Sequence, residues 1–274
     1  MARESNLVEP GPQAQTQARK ALVEITARSP ETKEFAMSIT RRAVVPAGLA
    51  SITAMGLASS SEAQTVDESL TPGEAAVVMV DFQNNFASPE GSGYAAFAEQ
   101  FRATHMIENS LALVNGARER GIQVIHVTEG YTDDYREVDM GNGATFHRNA
   151  VQWQAFKSSS VGAQLYAPIR HDSDVVFPDR KTMSGFGSNP LDFFLKSRGI
   201  HNVAVAGFTA DMCVYATLLA GFDLGYRMYA MTDAVVAGSP PLTQQMVGVL
   251  YPFVARSMTS REFLAMFRAR ARRR

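Results

Sequence analysis

The sequence predicts an α/β fold: a doubly wound, Rossmann-like, mostly parallel sheet with helices on both faces, forming a single domain from about residue 70. Three observations carry this expectation. Strand and helix signals alternate at least five times along the chain. The strand signals are continuous apolar runs, of which Ala75-Ala76-Val77-Val78-Met79-Val80 is the clearest. Such runs suit parallel strands buried on both faces rather than half-solvated ones. Finally, residues with chemistry to offer cluster just after these runs: Asp81 after the first, Lys181 after the third, Cys213 after the fourth. Open α/β sheets bind ligands at the carboxyl ends of their strands.

The elements follow in order. Ala75–Val80 is the first strand, ending in Asp81. Phe82–Phe86 and the Pro/Gly-rich stretch 88–93 form a loop. One long helix is expected over 95–120, stopped by Gly121. A second strand covers 122–128. Residues 129–160 lack clear periodicity, and 129–149 reads as a lid over the site. A third short strand, 174–177, leads into the loop Pro178–Gly187. Asn189-Pro190 opens a helix that ends near Arg198, before Gly199. The fourth strand, Val203–Ala206, ends at Gly207. The helix that begins at Cys213 repeats Val214, Leu218 and Phe222 at every fourth position and stops at Gly225. A fifth strand over 226–231 ends in Thr232-Asp233. A helix near 242–251, a short strand near 254–258 and a helix from Ser260 complete the pattern.

Composition excludes several classes. Of 274 residues, 46% are hydrophobic and 19% charged, an ordinary globular balance large enough for one core. A net charge of −1 gives no electrostatic footprint for nucleic acid. A single cysteine excludes an internal disulfide and a CxxC metal site. The five histidines show no HxxxH or HExxH spacing, and the Gly-rich stretches at 91–93 and 141–143 are not dinucleotide loops. No metal and no other cofactor is expected. Residues 1–36 are polar and read as a disordered extension, or as an extension ahead of a true start at Met37. Residues 37–63 hold Arg41-Arg42, the mildly apolar stretch 43–58 and the small-x-small site Ser61-Glu62-Ala63. That order predicts a twin-arginine (Tat) export signal, a periplasmic or exported protein and the Tat translocase as a partner; the alternative is a cytoplasmic protein. The stretch is too short and Gly-rich for a stable membrane span. A linker over 64–73, a catalytic domain over 74–268 and a basic tail over 269–274 complete the organisation. A homo-oligomer is expected.

The chemistry converges on Cys213, in the first turn of its helix, where unpaired backbone N–H groups and the helix dipole favour a thiolate. A thiol needs a base. Asp81 can take the thiol proton and return it to a leaving amine, and Lys181 can stabilise both anions. Backbone N–H groups of the turn, including those of Thr209 and Cys213, can face a developing oxyanion.

Taken together, Val78–Phe86, Lys181 with Ser184-Gly185-Phe186, Leu191 to Ile200, Gly207 to Val214, Phe222–Tyr226 and Thr232–Ala234 resemble the isochorismatase-like cysteine hydrolases. That family includes nicotinamidases, N-carbamoylsarcosine amidase and ureidoacrylate amidohydrolases. The resemblance spans about residues 74–260. It implies a six-stranded parallel sheet, an Asp–Lys–Cys triad acting through a thioester, and a cis peptide at Phe208–Thr209. It also implies substrate-binding roles for Phe82, Asn85, Phe86, Phe208 and Tyr215, with Asn142 and His147 similar to the lid of ureido-amide hydrolases. There are departures. Ala210-Asp211 stand where the family usually has Thr-Asn, and Tyr215 where it often has Glu. The usual lysine position falls on Arg180, one residue before Lys181. We assign Lys181 to the triad, with Arg180 as the alternative. The Asp/His/His metal set of nicotinamidases has no counterpart.

The leading expectation is therefore hydrolysis of a C–N bond in a small non-peptide amide or carbamoyl compound through a cysteine thioester. The alternatives are vinyl-ether hydrolysis of the isochorismatase type, a redox-active thiol protein, and a catalytically dead family member acting as a binding module.

Overall fold

The structure, a computed structural model, describes residues 69–267. The expected extension over 1–36, the expected export signal over 37–63, residues 64–68 of the expected linker and the basic tail lie outside the described residues. No helix among the described residues is long and apolar enough to cross a membrane.

Six strands make one sheet: β1 (Ala75–Val80), β2 (Gln123–Glu129), β3 (Val175–Arg180), β4 (Asn202–Phe208), β5 (Arg227–Val236) and β6 (Arg256–Met258). Their order is β3-β2-β1-β4-β5-β6, and every neighbouring pair is parallel. The chain runs outward from β1 in one direction and returns through β4 in the other. The crevice where the winding reverses therefore lies at the carboxyl ends of β1 and β4. Asp81 follows the first and Cys213 lies beyond the second.

The alternation of side chains along each strand divides the core in two. Ala75, Val77 and Met79 of β1 face a layer containing Leu113, Val114 and Ala117 of helix α3 (Met106–Arg120), together with Phe263. Ala76, Val78 and Val80 face the opposite layer, with Leu191, Leu195, Val214 and Leu218. Both faces of β1 are fully buried, which is why its sequence is a continuous apolar run. Gly207 has φ 115°, and a Cβ there would lie 2.1 Å from the Val80 carbonyl oxygen. Only glycine lets the end of β4 lie this close to β1, and that approach brings the two chemical ends together.

Several elements differ from expectation. The long helix over 95–120 is broken. After α1 (Asn84–Ala87) come α2 (Ala98–Thr104) and then α3, separated at His105, whose φ of 54° is left-handed. Two tethers favour the break. Gln100 Nε2 donates to the Ala237 carbonyl across the chain (2.6 Å), and Asn109 Nδ2 donates to the Asp233 carbonyl (3.0 Å). Strand β3 runs on to Arg180 because the register shifts between Val127 and Glu129, where Glu129 pairs with Arg180. Strand β5 likewise passes through Thr232-Asp233 by an irregularity and regains its pairing at Gly207–Val235. Asp233 consequently does not end a strand. Its Oδ1 accepts from the Ser260 N–H and Oγ (2.8 Å each), fixing the start of the last helix.

The aperiodic stretch 129–160 contains α4 (Thr145–Gln152). It is followed by α5 (Leu191–Ser197), α6 (Cys213–Asp223), α7 (Pro240–Gln245) and α8 (Ser260–Ala265). On α6, Val214 and Leu218 are buried as their spacing predicts, whereas Phe222 is about half exposed, at 52%. The segment expected as a helix over 242–251 is only briefly α-helical and continues as a π turn and a 3₁₀ turn to Phe253. The Phe208–Thr209 peptide is cis.

Candidate active site

The site is assembled by the stretch that follows β1. Asp81 leaves the strand with φ 52° and is 1% exposed. Gln83 is fully buried and clamps the end of β2: its Oε1 accepts from the Glu129 N–H (3.0 Å), and its Nε2 donates to the Glu129 carbonyl (2.8 Å). Asn85 Oδ1 accepts from the Phe156 N–H (3.0 Å), tying down the segment that follows α4. Phe86 reaches a cavity of about 180 Å³. The short run Asp81–Phe86 thus supplies one chemical group, one wall and two clamps.

From the other side, α6 begins at Cys213, 3% exposed, on the wall of the same cavity. The Met212 and Val214 N–H groups both donate to the Thr209 carbonyl (3.2 and 3.1 Å), and Tyr251 Oη donates to the Ala210 carbonyl (2.7 Å). These bonds hold the turn 209–213 in place. The Ser184-Gly185-Phe186 loop is secured to the same helix. The Gly185 N–H donates to Thr217 Oγ1 (2.8 Å), which in turn donates to the Cys213 carbonyl (2.6 Å).

The cation at the centre is Arg180, not Lys181. Arg180 is fully buried, and its Nη2 lies 2.6 and 2.5 Å from the two Asp81 carboxylate oxygens. Lys181 points the other way. Its Nζ donates to the Gly130 carbonyl, lies 3.3 Å from Glu137 and sits over the Tyr131 ring, with the side chain 35% exposed. The extra length of β3 causes the reversal. Arg180 is its last strand residue, paired with Glu129, so its side chain turns inward and that of the next residue turns away.

A fourth group completes the cluster. Glu129, at the end of β2, is 2% exposed and also lines the cavity. It accepts from Tyr131 Oη and lies 3.8 Å from Arg180 Nη2. One ligand atom from each of Asp81, Glu129 and Cys213 falls within a common 4.8 Å, a spacing that could hold a metal ion. Positive charge is already present there, because Arg180 pairs with two of these three groups. The sequence reading missed Glu129 as a site residue, although it occupies the same place after β2 as Asp81 does after β1.

The environment sets the protonation states. Burial pushes the Asp81 carboxyl up, opposed by the Arg180 guanidinium. Burial and then the neighbouring Asp81 charge push Glu129 up to about 8, so it carries its proton at neutral pH. Cys213 is pushed well above its usual value, first by burial and then by Asp81. Burial and the Asp81 charge thus work against the thiolate that the helix start favours, and the sulfur lies within 4.8 Å of an Asp81 carboxylate oxygen.

Of the substrate-binding residues expected from sequence whose side chains are described, Phe86 alone lines the cavity. Phe82 and Phe208 pack against each other in the aromatic core, 5.1 Å between ring centroids. Asn85 acts as the clamp described above. Tyr215 stacks on Tyr251 at 6.1 Å. His147 lies beside Phe146 on α4 but not on the cavity wall, and the backbone of Asn142 belongs to a short turn, Met140–Asn142. Phe97, Phe146, Asn149, Trp153 and Phe156 form the walls instead, together with Thr209 and Asp211. Residues 129–149 were expected to cover the site; in the structure the covering face is supplied by α4 and the residues just after it.

A doubly wound sheet with a buried Cys–Asp–Arg cluster at its switch point, beside an aromatic-walled cavity, defines a cysteine hydrolase of the α/β class. The isochorismatase domain model matches residues 75–262, and the chain belongs to that family. It is similar to ureidoacrylate amidohydrolases of Cronobacter turicensis, 29% identical over 71% of this chain and 86% of that protein, and of Cronobacter sakazakii, 30% identical over 65% and 82%. Among solved structures, a cysteine hydrolase from Pseudomonas syringae pv. phaseolicola superposes with a TM-score of 0.61 at 20% identity, covering 72% of this chain and 93% of that one. N-carbamoylsarcosine amidase from Thermoplasma acidophilum superposes with a TM-score of 0.54 at 24% identity, covering 68% and 96%. These two likenesses bear on the fold.

Proposed function

We propose that the protein hydrolyses a C–N bond of a small non-peptide amide or carbamoyl compound through a thioester on Cys213. The observation that carries the reading is the placement of the Cys213 sulfur within 4.8 Å of an Asp81 carboxylate oxygen, with Asp81 itself held by the buried Arg180 and Cys213 on the cavity wall. The similarity to amidohydrolases supports the bond type.

The steps balance within these groups. Asp81 removes the thiol proton as Sγ attacks the substrate carbonyl carbon and a C–S bond forms. Arg180 opposes the rise that burial imposes on Asp81 and so favours its anionic form. The oxyanion faces the N–H groups of the first turn of α6, with those of Thr209 and Cys213 in that role. The tetrahedral intermediate collapses, the C–N bond breaks and Asp81 delivers its proton to the leaving amine. Water then attacks the thioester, giving a proton to Asp81; the C–S bond breaks and the thiol is restored. The 3% exposed thiol, pushed up by burial, does not favour the redox-sensor reading, which calls for an exposed, low-pKa sulfur. Ammonia release from a panel of primary amides and carbamoyl compounds tests the proposal, and a panel without turnover would overturn it.

The raised Glu129 gives a pH prediction. An ionised Glu129 beside Asp81 adds a second negative charge against the forming thiolate. Turnover is therefore expected to fall as pH rises through about 8, and Glu129→Gln should remove that alkaline fall. Stability follows the same sign. A carboxyl raised in the folded state stabilises fully below its unfolded value, and this contribution is lost as pH rises toward about 8. Melting curves of wild type and Glu129→Gln across pH 5 to 9 check it. An unchanged alkaline limb in the variant would remove Glu129 from the account.

A further inference from the structure

The cavity has a chemical bias that the hydrolytic machinery does not require. Its walls are Phe86, Phe97, Phe146, Trp153 and Phe156. Among the described residues, the charged members of its lining are two, Glu129 and Asp211, both carboxylic acids, and no lysine or arginine lines it. Arg180 lies behind Asp81, already matched by that carboxylate, and is not part of the wall. Asp211 stands out. Its Oδ1 is buried without a hydrogen-bond partner, and among the described residues it forms no ion pair. Leaving a buried carboxylate oxygen unsatisfied is costly, so an oxygen held this way on a cavity wall is placed to accept from something that enters.

Size narrows the class further. A cavity of about 180 Å³ is close to the roughly 150 Å³ that accommodates a benzene ring in an apolar protein interior. The cavity therefore suits a small compound with no more than one ring, its scissile group lying against Cys213.

We propose that Asp211 is a specificity residue, selecting uncharged, single-ring amides with an N–H donor and rejecting amides that carry a carboxylate. The proposal rests on the amidohydrolase reading above. A substrate N–H satisfies Asp211 Oδ1, and the ring packs between the aromatic walls. A carboxylate brought into the same space loses its water, finds no cation on the walls and meets one or two anions; an unfavourable group of this kind excludes the wrong ligand more strongly than good packing selects the right one.

The test compares 4-nitrobenzamide with 4-carbamoylbenzoate, two ring amides of matched shape that differ in charge. Two readouts are taken at pH 7: ammonia release by the wild-type enzyme, and calorimetric binding to Cys213→Ala, which does not depend on turnover. The expected result is a preference for the nitro compound of at least about a hundredfold in kcat/KM and in Kd. Asp211→Asn should reduce that ratio by at least about tenfold. Equal or tighter binding of the carboxylate, or binding of neither compound, overturns the proposal. An undiminished ratio in folded Asp211→Asn overturns the role of Asp211. Selective binding of the nitro compound with no turnover of either keeps the specificity proposal and sinks the hydrolase reading instead. If Asp211→Asn does not fold, the wild-type ratio still decides between the outcomes.

Discussion

Cys213→Ser is expected to lower turnover by at least about a thousandfold, the scale seen when a nucleophile that works as part of a unit is removed. The physical reason lies in the proton donor. The thiol lies beside Asp81 in a buried site, and its sulfur is intrinsically far more nucleophilic than a hydroxyl oxygen. A serine hydroxyl at this position has a much higher pKa, and the same carboxylate would have to remove a less acidic proton. The fold should survive. The serine is slightly smaller, and its hydroxyl would lie beside the Asp81 carboxylate as the thiol does and can donate to it, so no buried donor is orphaned. A melting temperature within about 5 °C of wild type is expected, equivalent to no more than about 1–2 kcal/mol. Single-turnover assays with mass spectrometry add a direct check: wild type should accumulate a substrate-derived acyl adduct on Cys213, and the serine variant should not. Near-wild-type turnover by the variant would remove covalent catalysis from the mechanism.

The class of fold was legible because it depends on signals that are local in sequence. The apolar run of β1 is continuous because both of its faces are buried, and the carboxylate after it sits where a parallel sheet places ligand-binding groups. Cys213 was legible for the same reason, as a thiol at a strand-turn-helix junction. The register of β3 was not legible. Nothing local in Pro178-Asp179-Arg180-Lys181 distinguishes the residue that turns inward. That is decided by a shift in the pairing of β2 with β3, a contact between segments about fifty residues apart. Glu129 was hidden in a similar way, since its role depends on Gln83 clamping the end of β2 from across the sheet. The cavity walls were hidden because Trp153 and Phe156 come from a stretch without periodicity, ordered through Asn85 rather than by its own pattern. His147 and Tyr215 show the opposite error. The family resemblance pointed to them as substrate-binding residues, whereas here their rings pack on Phe146 and Tyr251.

Arg180→Met is expected to abolish activity and Lys181→Met to preserve it, the reverse of the assignment drawn from sequence. Arg180 Nη2 bonds both oxygens of Asp81 in a fully buried pair. Removing the guanidinium takes away the largest influence that lowers the Asp81 carboxyl and leaves burial to push it further up, toward the protonated form. A protonated Asp81 cannot take the thiol proton, so a loss of about a thousandfold or more in kcat/KM is expected. Breaking one partner out of a buried pair also costs about 3–5 kcal/mol of stability, so Arg180→Met is expected to fold poorly. Arg180→Lys answers that difficulty: it keeps a cation at the position, should fold, and should retain measurable activity, reduced because an ammonium has less reach and lacks the planar fork of the guanidinium. Lys181 contributes one partly exposed ion pair with Glu137, the kind worth about 0–1 kcal/mol. Its removal should change kcat/KM by less than about threefold and move the melting temperature little. Steady-state ammonia release and thermal melts of the three variants decide the matter. If Lys181→Met is dead while Arg180→Lys matches wild type, the buried guanidinium is a structural ion, and the catalytic cation has to reach Asp81 by a rearrangement of the segment that follows β3.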